Sequence, residues 1–240
     1  MARMTTTVRH KSDPRELPSY SLAEAAHYLC IPVSTLRSWV VGRHYFLTKD
    51  KRRFFEPLIH PSQSSPYTLL SFVNLVEVHI LNAIRRQHKI SLNKVRKALD
   101  YLKEQFPSGH PLADHAFVTN GLDLFIEKYG ELINISKEGQ LAMLDLLKAH
   151  LSRIERGPDG IPVKLYLFTR QIDLEEPKIV VIDPRISFGR PILAGTGIPT
   201  SVIAERYKAG ESIDELAKDY GIPKSQIEEA IRCELFPQAA

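Results

Sequence analysis

The same helical hairpin is written twice in this chain, and that repetition constrains its fold more than any other feature. In YSLAEAAHYLCIPVSTLRSWVV, residues 20–41, Ser21 is placed to cap a first helix. Ala26 is small where a second helix must cross, Cys30 falls in the turn and Leu36 faces inward. Pro32 keeps Ile31 out of the helical region and so separates the two helices. A stretch 191 residues downstream, SIDELAKDYGIPKSQIEEAI, repeats the pattern without a gap. Ser21, Ala26, Ile31, Pro32, Ser34 and Leu36 align with Ser212, Ala217, Ile222, Pro223, Ser225 and Ile227.

The two copies carry opposite charge. On the second helix of the first copy, Ser34, Thr35, Arg37 and Ser38 are read as outward-facing, a set that hydrogen-bonds phosphates and base edges. From Arg37 to Arg53 six basic residues (Arg37, Arg43, Lys49, Lys51, Arg52, Arg53) stand against one acid, Asp50. The plain alternative is a solvated face, but this one directly follows the candidate reading helix. The later copy presents Asp214, Glu215, Asp219, Glu228 and Glu229, which phosphate would repel, so it is read as a packing or protein-binding version. Residues 1–110 hold 17 basic and 8 acidic side chains, residues 111–240 hold 15 and 20, so an anionic partner belongs to the first half.

Taken in order, residues 1–18 read as a flexible arm. HYFLTKDKRRFFEPLI alternates bulky and polar residues around a charged turn, as a short β-hairpin does, and such a hairpin beside a helix-turn-helix is a wing. PSQSSP, 61–66, is a loop by composition. Helical spacing predicts a helix from Thr68 to His88, then a second one capped by Ser91 with Leu92, Val95, Leu99 and Leu102 on one side. Arg85, Arg86, Lys89, Lys94, Arg96 and Lys97 cluster at their junction as a second candidate phosphate contact.

This order of helix-turn-helix, basic wing and helix pair resembles the DNA-binding domain of MerR-type regulators and their excisionase relatives. The resemblance covers residues 19–106 and implies a recognition helix carrying Ser34, Thr35 and Arg37, with Arg52 and Arg53 in the wing. The metal-binding cysteines of the metal-sensing members are absent, so metal response does not carry over.

In residues 111–175, GLDLFIEKYGELINIS reads as two strands around a Tyr129-Gly130 turn. EGQLAMLDLLKAHLSRIE reads as an amphipathic helix and VKLYLFTR as a further strand, giving a small central sheet with one helix. The Leu141, Leu144, Leu147 and Leu151 stripe is read as core, with a dimer seam as the alternative.

The last segment, 178–240, carries Asp183, Pro184, Ile186, Gly189, Pro191, Gly195, Thr196, Ile198 and Pro199 ahead of the acidic hairpin. It resembles the domain-of-unknown-function family 433, although Gly197 stands where many members carry arginine. That family's members commonly sit beside PIN-like ribonuclease toxins, and some longer ones are VapB-type antitoxins. The glycines permit positive φ and the prolines fix the chain, so GRPILAGTGIP is expected as a rigid β-hairpin leading into a three-helix, helix-turn-helix-like unit. A ligand loop is the less favoured reading, and the spacing of phosphate-binding loops is missing.

The expected fold class is mainly α with small β elements (α+β). No nucleophile elbow, HExxH or carboxylate cluster appears, and His110 and His115 are poorly spaced for a metal, so neither an enzyme nor a cofactor is expected. Cys30 and Cys233 read as small core residues, and no apolar run approaches a membrane span, which makes a cytoplasmic protein the default expectation. With both resemblances, the implied function is a DNA-binding antitoxin that binds double-stranded operator DNA, silences a PIN-like ribonuclease toxin and acts as a homodimer. Residues 111–175 are expected to form that dimer. Arg185 and Arg190, beside the rigid hairpin, are the candidate toxin contacts. A stand-alone regulator with a C-terminal sensing domain and an excisionase-like DNA accessory protein remain as alternatives.

Overall fold

The computed structural model describes residues 13–48, 51–61, 67–86, 92–170 and 176–235, with the backbone alone at 46–48, 51 and 86. The first copy of the repeat forms helices α1 (Leu22–Tyr28) and α2 (Val33–Val40). Ser21 and Glu24 close a capping box over α1: the Ser21 hydroxyl accepts from the Glu24 N–H (3.2 Å) and the Ser21 N–H donates to the Glu24 carboxylate (2.9 Å). Cys30 then takes a left-handed φ of 51°, and the Ile31 N–H donates back to the Ala26 carbonyl (2.9 Å).

Behind this copy lies a long central helix. β1 (Tyr20–Ser21) pairs with β4 (Leu69–Leu70), and the wing is a second antiparallel pair, β2 (Arg43–Thr48) and β3 (Lys51–Phe55). Helix α3 (Phe72–Arg86) starts later than the Thr68 expected from spacing, because Leu69 and Leu70 are used in β4. Ser71 and Asn74 then exchange hydrogen bonds (both 3.2 Å) that open the helix. Leu75, Val76, Val78, Ile80, Leu81 and Ile84 are all fully buried, and so are the polar Asn74, Glu77 and His79 at 0–4% exposure, so α3 is buried around its circumference, as a core helix is. The predicted end at His88, the Ser91 cap, Lys89 and most of the 61–66 loop and the N-terminal arm lie outside the described residues.

Helix α4 (Leu92–Gln105) follows, then a π-helical turn (Phe117–Gly121) running into α5 (Leu122–Ile133). The two strands expected around Tyr129-Gly130 are therefore a helix. Leu122, Phe125, Ile126 and Tyr129 recur at helical spacing and are buried, a period that outweighs the local alternation. Gly130 marks close packing and not a turn, since a Cβ there would lie 2.6 Å from the Gln140 side chain. Helix α6 (Lys137–Leu151) forms as expected, but its inward side is Met143, Leu147, His150 and Leu151, while Leu141 is 60% exposed.

The sheet that follows is four-stranded and antiparallel, in the order β5 (Ile154–Arg156), β6 (Pro162–Tyr166), β7 (Val180–Ile182), β8 (Ile192–Leu193). It joins strands from both of the segments expected as 111–175 and 178–240: Leu165 faces Ile154 on one side and Ile182 on the other. Beyond β8 the predicted hairpin closes with Gly195 and Gly197 at φ 79° and 73° and leads into α7 (Thr200–Lys208), α8 (Ile213–Tyr220) and α9 (Lys224–Leu235). The repeat holds at the level of single hydrogen bonds. Ser212 and Glu215 form the same capping box, Gly221 (φ 65°) stands in the place of Cys30, and the Ile222 N–H donates to the Ala217 carbonyl (3.1 Å). The architecture is α+β with small antiparallel sheets. No helix among the described residues is long and apolar enough to cross a membrane.

One buried carboxylate gives the fold a pH dependence. Glu77 on α3, its side chain 4% exposed, accepts from Asn74 Nδ2 (3.2 Å) and pairs with His110 Nδ1 (2.9 Å), while Glu16 lies 3.5 Å from His110 Nε2. The bond to Glu77, opposed by desolvation, raises the His110 pKa above its ordinary 6.5. Folding thus favours protonated His110. That contribution is complete below about pH 6.5 and is lost as the pH rises through the higher, folded-state value. His110→Gln is expected to destabilise by about 1–3 kcal/mol at about pH 6, because the buried carboxylate loses its charged partner. The gap to the parent chain should narrow above neutrality; a gap independent of pH in thermal melts would contradict the assignment.

Candidate nucleic-acid interface

The first helical hairpin and the wing are locked together by backbone. The Trp39 carbonyl, near the end of α2, accepts from the N–H groups of Leu58 (2.7 Å) and Ile59 (3.1 Å), which ties the chain leaving the wing back under the helix. Gly42 turns the chain from α2 into β2 at φ 81°, and a Cβ on it would sit 2.4 Å from the Phe55 carbonyl oxygen. At the base of the wing, the Arg96 guanidinium lies 4.9 Å from the centre of the Phe55 ring and donates to the carbonyls of Pro57 (3.2 Å) and Glu56. Three attachments thus set the angle between helix and wing.

On this frame Ser34, Arg37, Arg43, Arg52 and Arg53 are exposed and Thr35 is half-buried. Ser38 is a correction to the expected outward set: it is 6% exposed and donates to the Thr35 carbonyl (2.7 Å), because it falls one residue before buried Trp39. Lys49 and the side chain of Lys51 lie outside the described residues. The register divides the two wing arginines. Arg52 pairs with Phe46 and shares a face with the His44/Phe54 pair, whereas Arg53 pairs with Tyr45 on the face that holds Phe55.

The second expected basic cluster is divided between packed and exposed side chains. Arg96 holds the wing base, and Arg85 is half-buried, its pKa lowered by desolvation; Lys94 and Lys97 are exposed. Two exposed residues on the same wing were not singled out from the sequence. His44 and the 43% exposed Phe54 pack with ring centroids 4.9 Å apart on the wing. The alternation of HYFLTKDKRRFF carried the signal, since it puts both on the Arg52 face.

The two arginines expected beside the C-terminal hairpin are used differently. Arg185 is 59% exposed, with its Nε 3.4 Å from Asp183. Arg190 instead reaches α1, pairing with Glu24 and donating to the Tyr28 hydroxyl (3.3 Å). Burial alone would raise the Glu24 pKa, but the Ser21 N–H and hydroxyl and the Arg190 guanidinium hold it below the usual range. The Tyr20 hydroxyl of β1 donates to the Gly189 carbonyl (3.0 Å), so the hairpin is seated on β1 and α1 of the first helical unit. Among the described residues, no group of three or more His, Cys, Asp or Glu side chains could hold a metal ion.

Comparison with known proteins supports both ends of this description. Residues 18–99 match the family described as "Putative DNA-binding HTH domain", and residues 180–232 match "Protein of unknown function (DUF433)". The chain is 28% identical over 233 residues to "Putative antitoxin VapB45" of Mycobacterium tuberculosis, covering 90% of this chain and 93% of that protein. It is 24% identical over 219 residues to "Uncharacterized protein Rv2308" of the same organism, covering 88% of each. The crystal structure of Rv2018 from Mycobacterium tuberculosis has the same fold, with a TM-score of 0.66 at 24% identity over 90% of this chain and 98% of that one.

Proposed function

We propose that this chain is a DNA-binding antitoxin. Its MerR-like winged helix-turn-helix binds the operator of its own operon and represses it, while the C-terminal part binds and silences a PIN-like ribonuclease. Ser34, Thr35, Arg37 and Arg43 on and beside α2 contact DNA together with Arg52 and Arg53 of the wing. Arg185 belongs to the ribonuclease contact. One observation carries this reading: the exposed Arg37 of α2 and a basic wing share a chain with the 433-type unit, and the hairpin of that unit rests on α1 through Arg190 and on β1 through Tyr20.

A two-fold dimer suits the role, because two modules on neighbouring major grooves multiply their affinities. Leu141 of α6, a large apolar residue that the helix leaves open, is offered as part of the dimer seam. The test is co-purification of the tagged chain with the product of the adjacent reading frame, a ribonuclease assay on the pair, and a gel shift on the chain's own promoter DNA. A stable complex, silenced cleavage and a salt-sensitive shift are expected. A chain that shifts the promoter yet neither binds nor silences the neighbouring product is a regulator of another kind.

A further inference from the structure

The segment between β7 and β8 contains a side chain that folding alone does not account for. Ser187, Phe188 and Gly189 are consecutive left-handed residues, at φ 49°, 54° and 73°. Glycine adopts this region freely, but a residue with a side chain gives up roughly 1–2 kcal/mol there. A phenylalanine usually offsets such a cost by burial, yet Phe188 is 96% exposed.

The conformation is fixed by hydrogen bonds within the turn and by a clamp from outside at its far end. The Ile186 N–H donates to the Asp183 carbonyl (3.0 Å), the Gly189 N–H to the Ile186 carbonyl (2.9 Å) and the Arg190 N–H to the Ser187 carbonyl (3.0 Å). Asp183 Oδ1 accepts from the Arg185 N–H (2.9 Å), and Tyr20 and Glu24 clamp the far end. Single exposed apolar residues are ordinary on protein surfaces. A fully exposed ring on a rigid, left-handed turn is different, since both its position and its backbone work against the free chain.

The ring does not stand by itself. Ile186 is 41% exposed and Arg185 59% exposed on the same turn, so an aromatic, an aliphatic and a guanidinium are presented together, held in place before any partner arrives. Aromatic and arginine anchors of this kind dominate protein–protein binding energies. Resting on the antitoxin reading, we infer that residues 185–188 form the element that docks the ribonuclease. Phe188 fills an apolar pocket on that partner, and Arg185 meets carboxylates at its rim, which a metal-dependent ribonuclease gathers at its active site.

A second copy of this chain fits less well. Of two clefts among its described residues, one of about 230 Å³ is ringed by Glu16, His110, Asp114, His115 and Asp159 and one of about 400 Å³ by Asp13, Arg15, Asp159 and Arg185, and both are too polar for a benzyl group.

Phe188→Gly tests the inference, because glycine suits the turn while removing the anchor. The purified full-length chain is titrated with the product of the adjacent reading frame. Affinity is expected to fall at least about thirtyfold, with the melting temperature of the free chain unchanged or raised and promoter binding unchanged. Wild-type affinity in both Phe188→Gly and Phe188→Asp would overturn the docking role and leave the antitoxin reading standing. Failure of the unmodified chain to bind the neighbouring product would overturn both. Loss of self-association in Phe188→Gly, with partner affinity intact, would make the turn a contact between copies and also overturn the inference.

Discussion

Neutralising Arg37, Arg52 and Arg53 together with glutamine is expected to flatten the salt dependence of operator binding while leaving the fold unchanged. All three are exposed, and exposed substitutions usually move stability by no more than about 0.5 kcal/mol. Each phosphate neutralised by a protein cation releases condensed counterions and contributes about −0.9 to the slope of log K against log salt. Removing three such contacts lowers the slope by about 2.7. Over a fourfold rise in salt, the parent chain should therefore lose about fortyfold more affinity than the variant. Gel shifts or fluorescence titrations at several salt concentrations read this directly. An unchanged slope would mean that these side chains do not meet phosphate. The register adds a finer expectation: because Arg52 and Arg53 occupy opposite faces of the wing, the single variants report the two faces separately, each lowering the slope by about 0.9.

Gly42→Ala should damage the same function by another route. At φ 81° an alanine is already strained by about 1–3 kcal/mol, and its Cβ would stand 2.4 Å from the Phe55 oxygen and 2.6 Å from the Phe54 ring. The ring can turn aside, but the backbone oxygen moves only if β3 moves with it. The wing should swing away from α2, and promoter affinity should fall by more than about tenfold even though every basic residue is retained, since each ~1.4 kcal/mol of lost contact is a factor of ten. The melting temperature should drop by about 2–4 °C for each kcal/mol lost. Gly109→Ala is the control, because nothing lies within 4 Å of its added Cβ. Full promoter affinity in Gly42→Ala would show that the angle between helix and wing does not matter for binding.

Local chemistry was most legible where it repeats. The Ser21 and Ser212 caps, the left-handed residue in each turn and the proline that opens each second helix are decisions taken within a few residues of chain, so the hairpin could be read twice. The wing was legible for the same reason, since strand alternation is local. Reading failed where two periods overlapped. GLDLFIEKYGELINIS alternates like a strand over short stretches, while Leu122, Phe125, Ile126 and Tyr129 keep helical spacing over a longer one, and burial against α4 and α6 selects the helix. Ser38 failed for a related reason. A polar side chain on a recognition helix looks outward until the packing of Trp39 sets the helix rotation.

By itself, then, the sequence determined the twice-written helical hairpin, the basic wing, the glycine-built C-terminal turn and the opposed charge of the two halves, all properties of neighbouring residues. Only the tertiary structure decided that the sheet runs through the expected boundary near residue 175, that Arg190 holds α1, and that Phe188 stands in solvent on a left-handed turn. Those outcomes depend on which groups distant in the chain come within hydrogen-bonding reach. Local propensities and charge counts hold no information about such distances, because they are set by the packing of the whole core.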